Sequence, residues 1–208
     1  MIKLSNLSFR YGKKADLFHS LNLELPEGNI YGLLGKNGAG KTTLLKLISG
    51  LKFPKSGTAS VFGYEPKKRI PDFQADLYFI PEELYVPNMK INSYVNIYTP
   101  FYPKFDNNQF LGHLTEFEIP LDSNMTELSY GQKKKVLLSF GLATNCRLLI
   151  LDEPTSALDL RHQHQILQLV KRFVARGNTA IIAIHDLNLA SLYADTAVVL
   201  KHGRLIKF

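Results

Sequence analysis

The sequence predicts an α/β fold with a mainly parallel sheet, an N-terminal antiparallel β lobe and an inserted helical lobe. Three observations carry that expectation. Short β-like runs, IKLSNLSF, LNLEL and NIYGLLG, open the chain. Between Pro81 and about Asn124, prolines at 81, 87, 100, 103 and 120 divide the chain into short helical pieces. After Ser129, apolar runs alternate with helical patterns, as buried parallel strands do when crossover helices join them.

The elements follow in order. Residues 41–49 read as a helix, with Leu44, Leu45, Leu47 and Ile48 as its apolar positions. SGTASVFG and DLYFI read as further strands, and NSYVNIY and NQFLGHLTEFEI as helical pieces. A helix is expected over 131–144, then the strand RLLILD, a helix over 160–175, the strand TAIIAIH, a short helix over 187–193 and the strands TAVVLKH and RLIKF. This places a single domain over 1–208: a core with its β lobe over about 1–80 and 146–208, and a helical lobe over about 81–145.

The totals bound the class. The chain has 208 residues, 45% of them hydrophobic, enough for a core of its own. The charged fraction of 21% is ordinary for a folded protein. No apolar run reaches the roughly 18 residues that a membrane span needs. The opening MIKLSNLSFRYG has no apolar h-region, so no secretory signal is expected. A single cysteine, Cys146, excludes an internal disulfide and reads as a small core residue. A soluble cytosolic protein is the simplest expectation. The net charge of +7 admits nucleic acid, anionic headgroups or nucleotides as partners. The basic residues are dispersed, apart from KKR at 67–69 and KKK at 133–135, and read as a solvated surface.

Chemistry begins at GLLGKNGAGKTTLLKLISG, residues 32–50. Gly35-Lys36-Asn37-Gly38-Ala39-Gly40-Lys41-Thr42 fits G-x-x-x-x-G-K-[ST] between an apolar strand and a helix, the setting of a P-loop. Its glycines let the backbone curl until several N–H groups converge on one anion. The helix that follows aims its positive end at the same point. Lys41 adds a charge for the β- and γ-phosphates, and the Thr42 hydroxyl suits Mg²⁺. No G-x-G-x-x-G occurs, so a dinucleotide fold is not expected. Further on, Leu148-Leu149-Ile150-Leu151-Asp152-Glu153-Pro154 is an apolar strand ending in two carboxylates. Such an edge presents side chains rigidly where α/β proteins bind ligands. Asp152 suits the Mg²⁺ site and Glu153 the general base that polarises water. Ser129, just ahead of a helix, reads as its N-cap and a second anion-facing helix end.

In these residues the chain resembles the ATP-binding-cassette (ABC) ATPases, a P-loop NTPase family with a RecA-like core, over nearly its whole length. Gly35–Thr43 resembles the Walker A segment, including Thr43. Leu128-Ser129-Tyr130-Gly131-Gln132 is similar to the signature motif LSGGQ. Leu148–Glu153 resembles Walker B with its catalytic glutamate, and Ser156-Ala157-Leu158-Asp159 the D-loop. His185 sits where the family has its switch histidine, and Tyr11 where an aromatic stacks on adenine. The resemblance implies ATP and Mg²⁺ as ligands. It also implies two cassettes paired head to tail, each ATP lying between Walker A of one and Ser129, Gly131 and Gln132 of the other, with Asp159 nearby.

Two positions depart from the family pattern. Tyr130 replaces a glycine and is expected to matter little. Glu82, in FIPEE, stands where the Q-loop has glutamine, and is expected to serve Mg²⁺ as an anionic oxygen. His162 and His164 lie two apart on a helix and do not suggest a metal site. His19, His113 and His202 suggest nothing specific.

Within the family two classes of function stay open. One is the ATP-binding subunit of a transporter whose transmembrane subunits are separate chains, located at the inner face of the membrane through that partner. The aromatic segment YVNIYTPFYPKF (94–105) then either packs the helical lobe or receives the partner. FIPEE and the helical lobe resemble bacterial ABC-2-type exporter ATPases. The sequence ends soon after its last strand, and no C-terminal regulatory domain is expected; export is the expected direction. The other class is a soluble cassette acting on nucleic acid, the ribosome or Fe–S assembly. A single cassette without coiled coil, zinc module or basic stripe favours the first, and no nucleic-acid partner is expected. A nucleotide-gated module with little hydrolysis is a third reading, which Glu153 disfavours.

Overall fold

A computed structural model describes every residue of the chain except Lys14, Ala157, His202 and Phe208, and all but the side chain of Lys207. The expected D-loop Ala157, and His202, therefore lie outside the described residues.

The chain folds as two sheets with helices. Strands β1 (Ile2–Phe9), β2 (Phe18–Leu25) and β4 (Ser56–Val61) form an antiparallel sheet in the order β2-β1-β4. The second sheet has the order β5-β6-β7-β3-β8-β9, built from β3 (Ile30–Leu34), β5 (Leu77–Ile80), β6 (Leu148–Asp152), β7 (Thr179–Ala183), β8 (Thr196–Lys201) and β9 (Arg204–Lys207). All its pairings are parallel except that of β8 with β9.

Period-2 alternation sorts the parallel strands' side chains onto two cores. Leu148 and Ile150 face one core, with Leu44, Leu45 and Ile48 of α1 (Lys41–Ile48) and the inner face of the β1 sheet. Leu149 and Leu151 face the other, under a helical layer. That layer comprises α3 (Ile91–Tyr98), α4 (Asn107–Glu116), α5 (Tyr130–Ala143), α6 (Leu160–Val174) and α7 (Leu187–Tyr193). One five-residue helix, α2 (Pro71–Ala75), was not expected; its single buried side chain, Phe73, shows no period. The other elements lie within a few residues of their expected bounds.

The aromatic segment divides its duties. Tyr94, Tyr102 and Phe105 ring Phe140, with centroids 5.3, 5.9 and 4.9 Å away. Ile97, Tyr98 and Phe101 are exposed. The KKK run is not the solvated surface that was expected. Lys134 is 3% exposed and Lys135 8%, because α5 is covered on most sides in mid-layer.

Candidate functional site

β3 delivers the P-loop at its C-terminal edge, and α1 leaves from it. Gly40 caps α1 at φ 102° and offers no side-chain oxygen, so the first N–H groups of the helix keep their capacity to bind an anion. Gly38 also has a positive φ of 76°. A Cβ at Gly35 would meet the Leu200 carbonyl oxygen at 2.6 Å, so glycine is required by space as well.

The loop borders a cavity of about 510 Å³ lined by Tyr11, Lys41, Thr42, Glu82, Glu153 and His185, among others. Asn37, Gly38, Gly40 and Thr43 line it too. Gly35, Lys36 and Ala39 border an adjoining hollow, which Gly38 and His185 share with the first.

Lys41 is buried. Its Nζ donates to the Gly35 carbonyl at 3.0 Å and lies 3.6 Å from Oε1 of Glu153. The same Oε1 is 2.9 Å from Nε2 of His185, without the direction of a hydrogen bond in either case. Glu153 itself follows β6 in the left-handed region, at φ 52°. A non-glycine residue held there is strained, and this turn swings the carboxylate off the strand axis into the cavity mouth. Burial raises the Glu153 carboxyl above the usual range, with His185 and Lys41 opposing the rise.

Asp152 is 2% exposed, and neither of its oxygens has a hydrogen-bond partner. Burial raises its pKa as well; Thr42 comes near enough to oppose this, without a well-directed bond. A buried carboxylate with both oxygens orphaned, beside a hydroxyl, is a hard-oxygen set that fits Mg²⁺. Among the described residues no three acidic, histidine or cysteine side chains converge as a ready cage, so such a cation would complete its shell with phosphate and water.

Tyr11 lines the cavity and is held by its hydroxyl, 2.9 Å from Oγ1 of Thr43, and by an edge contact with Phe9. Lys52 sits 5.5 Å from the centre of its ring. Thr43 is thus engaged with Tyr11.

Ser129, Gly131, Gln132 and Asp159 do not line the cavity. Ser129 caps α5 in a reciprocal box: its Oγ accepts from the Gln132 N–H at 3.2 Å, and Gln132 Oε1 accepts from the Ser129 N–H at 2.9 Å. Gly131 packs on Leu158, whose Cδ2 would lie 2.9 Å from an added Cβ. Asp159 caps α6, accepting from the His162 N–H at 2.9 Å and lying 2.8 Å from its ring nitrogen. His164 instead reaches the Tyr193 hydroxyl at 2.7 Å.

Tyr130 does more than was expected of it. Its hydroxyl donates to the backbone carbonyl of Glu82. Sequence reading also missed Lys134, whose Nζ donates to the carbonyls of Glu153 and Ser156 and to the Ser156 hydroxyl. Burial lowers its pKa to about 8. A lysine in a run of three carries no sequence signal for burial.

Comparison with known proteins agrees with this layout. The ABC transporter family matches residues 18–156, which excludes Tyr11, Asp159 and His185. A putative ABC transporter ATP-binding protein of Bacillus cereus is 33% identical over 99% of this chain. The chain spans 38% of that relative's length. Methionine import ATP-binding protein MetN of Campylobacter jejuni is 32% identical over 99% of the chain and 69% of its own length. Nod factor export ATP-binding protein I of Burkholderia orbicola is 31% identical, over 99% and 69%. A solved ATP-binding subunit of an ABC transporter has a TM-score of 0.90 at 26% identity, covering 100% of this chain and 89% of that one. The family match runs from β2 through the P-loop and the Asp152–Glu153 strand end, so the chain belongs to the ABC transporter family.

Proposed function

We propose that the chain binds ATP with Mg²⁺ and hydrolyses it, as the ATP-binding subunit that drives transport through separate transmembrane subunits. The observation that carries this is Lys41, held at the mouth of the P-loop against Glu153, with the orphaned carboxylate of Asp152 beside it.

The residues divide the work. The P-loop N–H groups and Lys41 take the β- and γ-phosphates, and the partly exposed Tyr11 ring takes the adenine. Thr42 and Asp152 hold Mg²⁺, with Glu82 at the cavity wall as a further anionic oxygen; bound there, the cation supplies charge compensation to the phosphates. An arriving γ-phosphate competes for Lys41 and His185, which now sit on Glu153. That exchange frees the carboxylate to accept a proton from the attacking water, while the water oxygen joins phosphorus and the bond to the bridging oxygen breaks. The raised pKa of Glu153 makes it a better base than an exposed glutamate. His185 positions the water and the γ-phosphate.

Ser129, Gly131, Gln132 and Asp159 stand off the cavity in their own chain, which supports their service to a second copy in a head-to-tail pair. The division into a core, about 1–80 and 146–208, and a lobe, about 81–145, is supported by the helices α3 to α5 that fill the insertion. The exposed Ile97, Tyr98 and Phe101 on that lobe suit a membrane partner, which would keep the chain at the inner face of the membrane. Export is the direction we propose, on the resemblance of FIPEE and the lobe to exporter ATPases. The relatives include two named for import and one named for export at similar identity, and the copurifying membrane partner distinguishes the directions. Copurification from detergent-solubilised membranes tests the partner: a stoichiometric polytopic protein supports the proposal, and a purely soluble pool with ribosomal or nucleic-acid partners overturns it.

Glu153→Gln tests the chemistry. It is expected to bind ATP as well as wild type and to turn over at least about 100-fold more slowly, the scale of a lost general base. Wild-type turnover in that variant would sink the assignment.

A further inference from the structure

The start of α5 touches both acidic loops of the site, through Tyr130 and Lys134. Tyr130 and Lys134 are four residues apart and so share one helix face. The Lys134 Nζ lies 5.0 Å from the centre of the Tyr130 ring. Tyr130 bonds the carbonyl of Glu82, and Lys134 the carbonyl of Glu153 at 2.8 Å. Lys134 also donates to the Ser156 carbonyl at 3.0 Å and to its hydroxyl at 2.7 Å, while that hydroxyl donates to the Glu153 carbonyl at 3.0 Å. An ammonium has three protons, and here three acceptors take them. At 3% exposure there is little room for water to substitute.

The carbonyl so held belongs to a non-glycine residue in the left-handed region. Glu153 sits at φ 52°, and the turn that follows it closes through the Ser156 N–H to the same carbonyl at 3.2 Å. A strained conformation persists only when its surroundings over-determine it.

We propose that Lys134 is a positioning residue for ATP hydrolysis: it pins the Glu153 carbonyl and so fixes the turn that aims the Glu153 carboxylate, while Tyr130 pins Glu82 from the same helix face. The spacing between the two acidic loops is therefore set by the start of α5, the element that Ser129 caps and that carries Gly131 and Gln132. Movement of that helix is transmitted to the base through Lys134 and to Glu82 through Tyr130. The inference rests on Glu153 being the base.

Lys134→Met keeps the apolar stem and removes every donor. In ATPase assays of the purified chain it is expected to lower kcat about 10- to 100-fold, the scale of an ångström-sized misplacement. The KM for ATP and the binding of a fluorescent ATP analogue are expected to stay within about twofold, because the P-loop is untouched. An unchanged kcat overturns the proposal. So does a fall in kcat accompanied by loss of ATP binding and a lowered Tm, which would mark Lys134 as a structural strut only. Should the methionine variant fail to fold, Ser156→Ala removes one acceptor and the hydroxyl's own bond to Glu153. It is expected to show the same pattern at about 3- to 10-fold, and an unchanged kcat there is equally fatal. Glu153→Gln measured alongside separates the two ideas. Full turnover in Glu153→Gln removes the base; full turnover in Lys134→Met with an inert Glu153→Gln removes only the positioning role.

Discussion

Glu82 shows how one side chain changes a site's ionic character. It lines the cavity with Lys41 and Thr42, and its charge contributes to raising the pKa values of both Asp152 and Glu153. A further carboxylate whose charge is felt at Asp152 and Glu153 favours a divalent cation more than a neutral amide in its place would. Replacing Glu82 by Gln is therefore expected to raise the Mg²⁺ concentration for half-maximal ATPase activity about fivefold, equivalent to ~1 kcal/mol for a charge near a protein surface. Superimposable Mg²⁺ titrations would remove the role. At this scale, legibility followed sequence distance. The P-loop and Asp152–Glu153 could be read because their residues are neighbours in the chain. The Tyr130 bond to Glu82 spans 48 residues, and Lys134 reaches 19 and 22 residues on; no local pattern announces either.

Elements declared themselves where they were long enough to show a period. The strands β6 and β7 read as apolar runs because both faces are covered, and α6 as a helix because its buried positions, such as Ile166, Leu169, Val170 and Phe173, recur at helical spacing. The strand order was not legible: β3 lies between β7 and β8, a pairing fixed by packing across the whole sheet. Two helix glycines were equally opaque, and the structure now separates them. A Cβ at Gly141 of α5 would lie 2.4 Å from Cδ1 of Tyr78, within the aromatic cluster around Phe140. At Gly112 of α4 it would meet nothing within 4 Å. Gly141→Ala is expected to destabilise by about 1–3 kcal/mol, because the Tyr78 ring must leave its place. Gly112→Ala is expected to stabilise by about 0.5–1 kcal/mol through helix propensity alone. Denaturant melts of both variants check the pair; a Gly141→Ala variant no less stable than wild type would show that the Tyr78 ring yields to the added methyl, and a destabilised Gly112→Ala would remove the propensity argument for α4.

Over the whole molecule, the P-loop cavity and the Ser129 turn are separate places: none of Ser129, Gly131 or Gln132 lines the cavity in its own chain. If each is half of an ATP site, a pair of copies has two whole sites, and inactivating different halves in different copies must be partly reversible by mixing. Lys41→Ala removes the phosphate-binding charge. Ser129→Asp keeps the α5 cap, since aspartate caps as well as serine, but places a negative charge where a phosphate would dock. Each variant alone has both sites damaged. In an equal mixture half of the pairs are mixed, and each of those has one intact site and one doubly damaged. The mixture is expected to regain up to about a quarter of the wild-type ATPase rate, with the gain depending on protein concentration because pairing is second order. A mixture no more active than its components would mean that Ser129 serves its own chain or no nucleotide at all, and the head-to-tail pairing would fall with it.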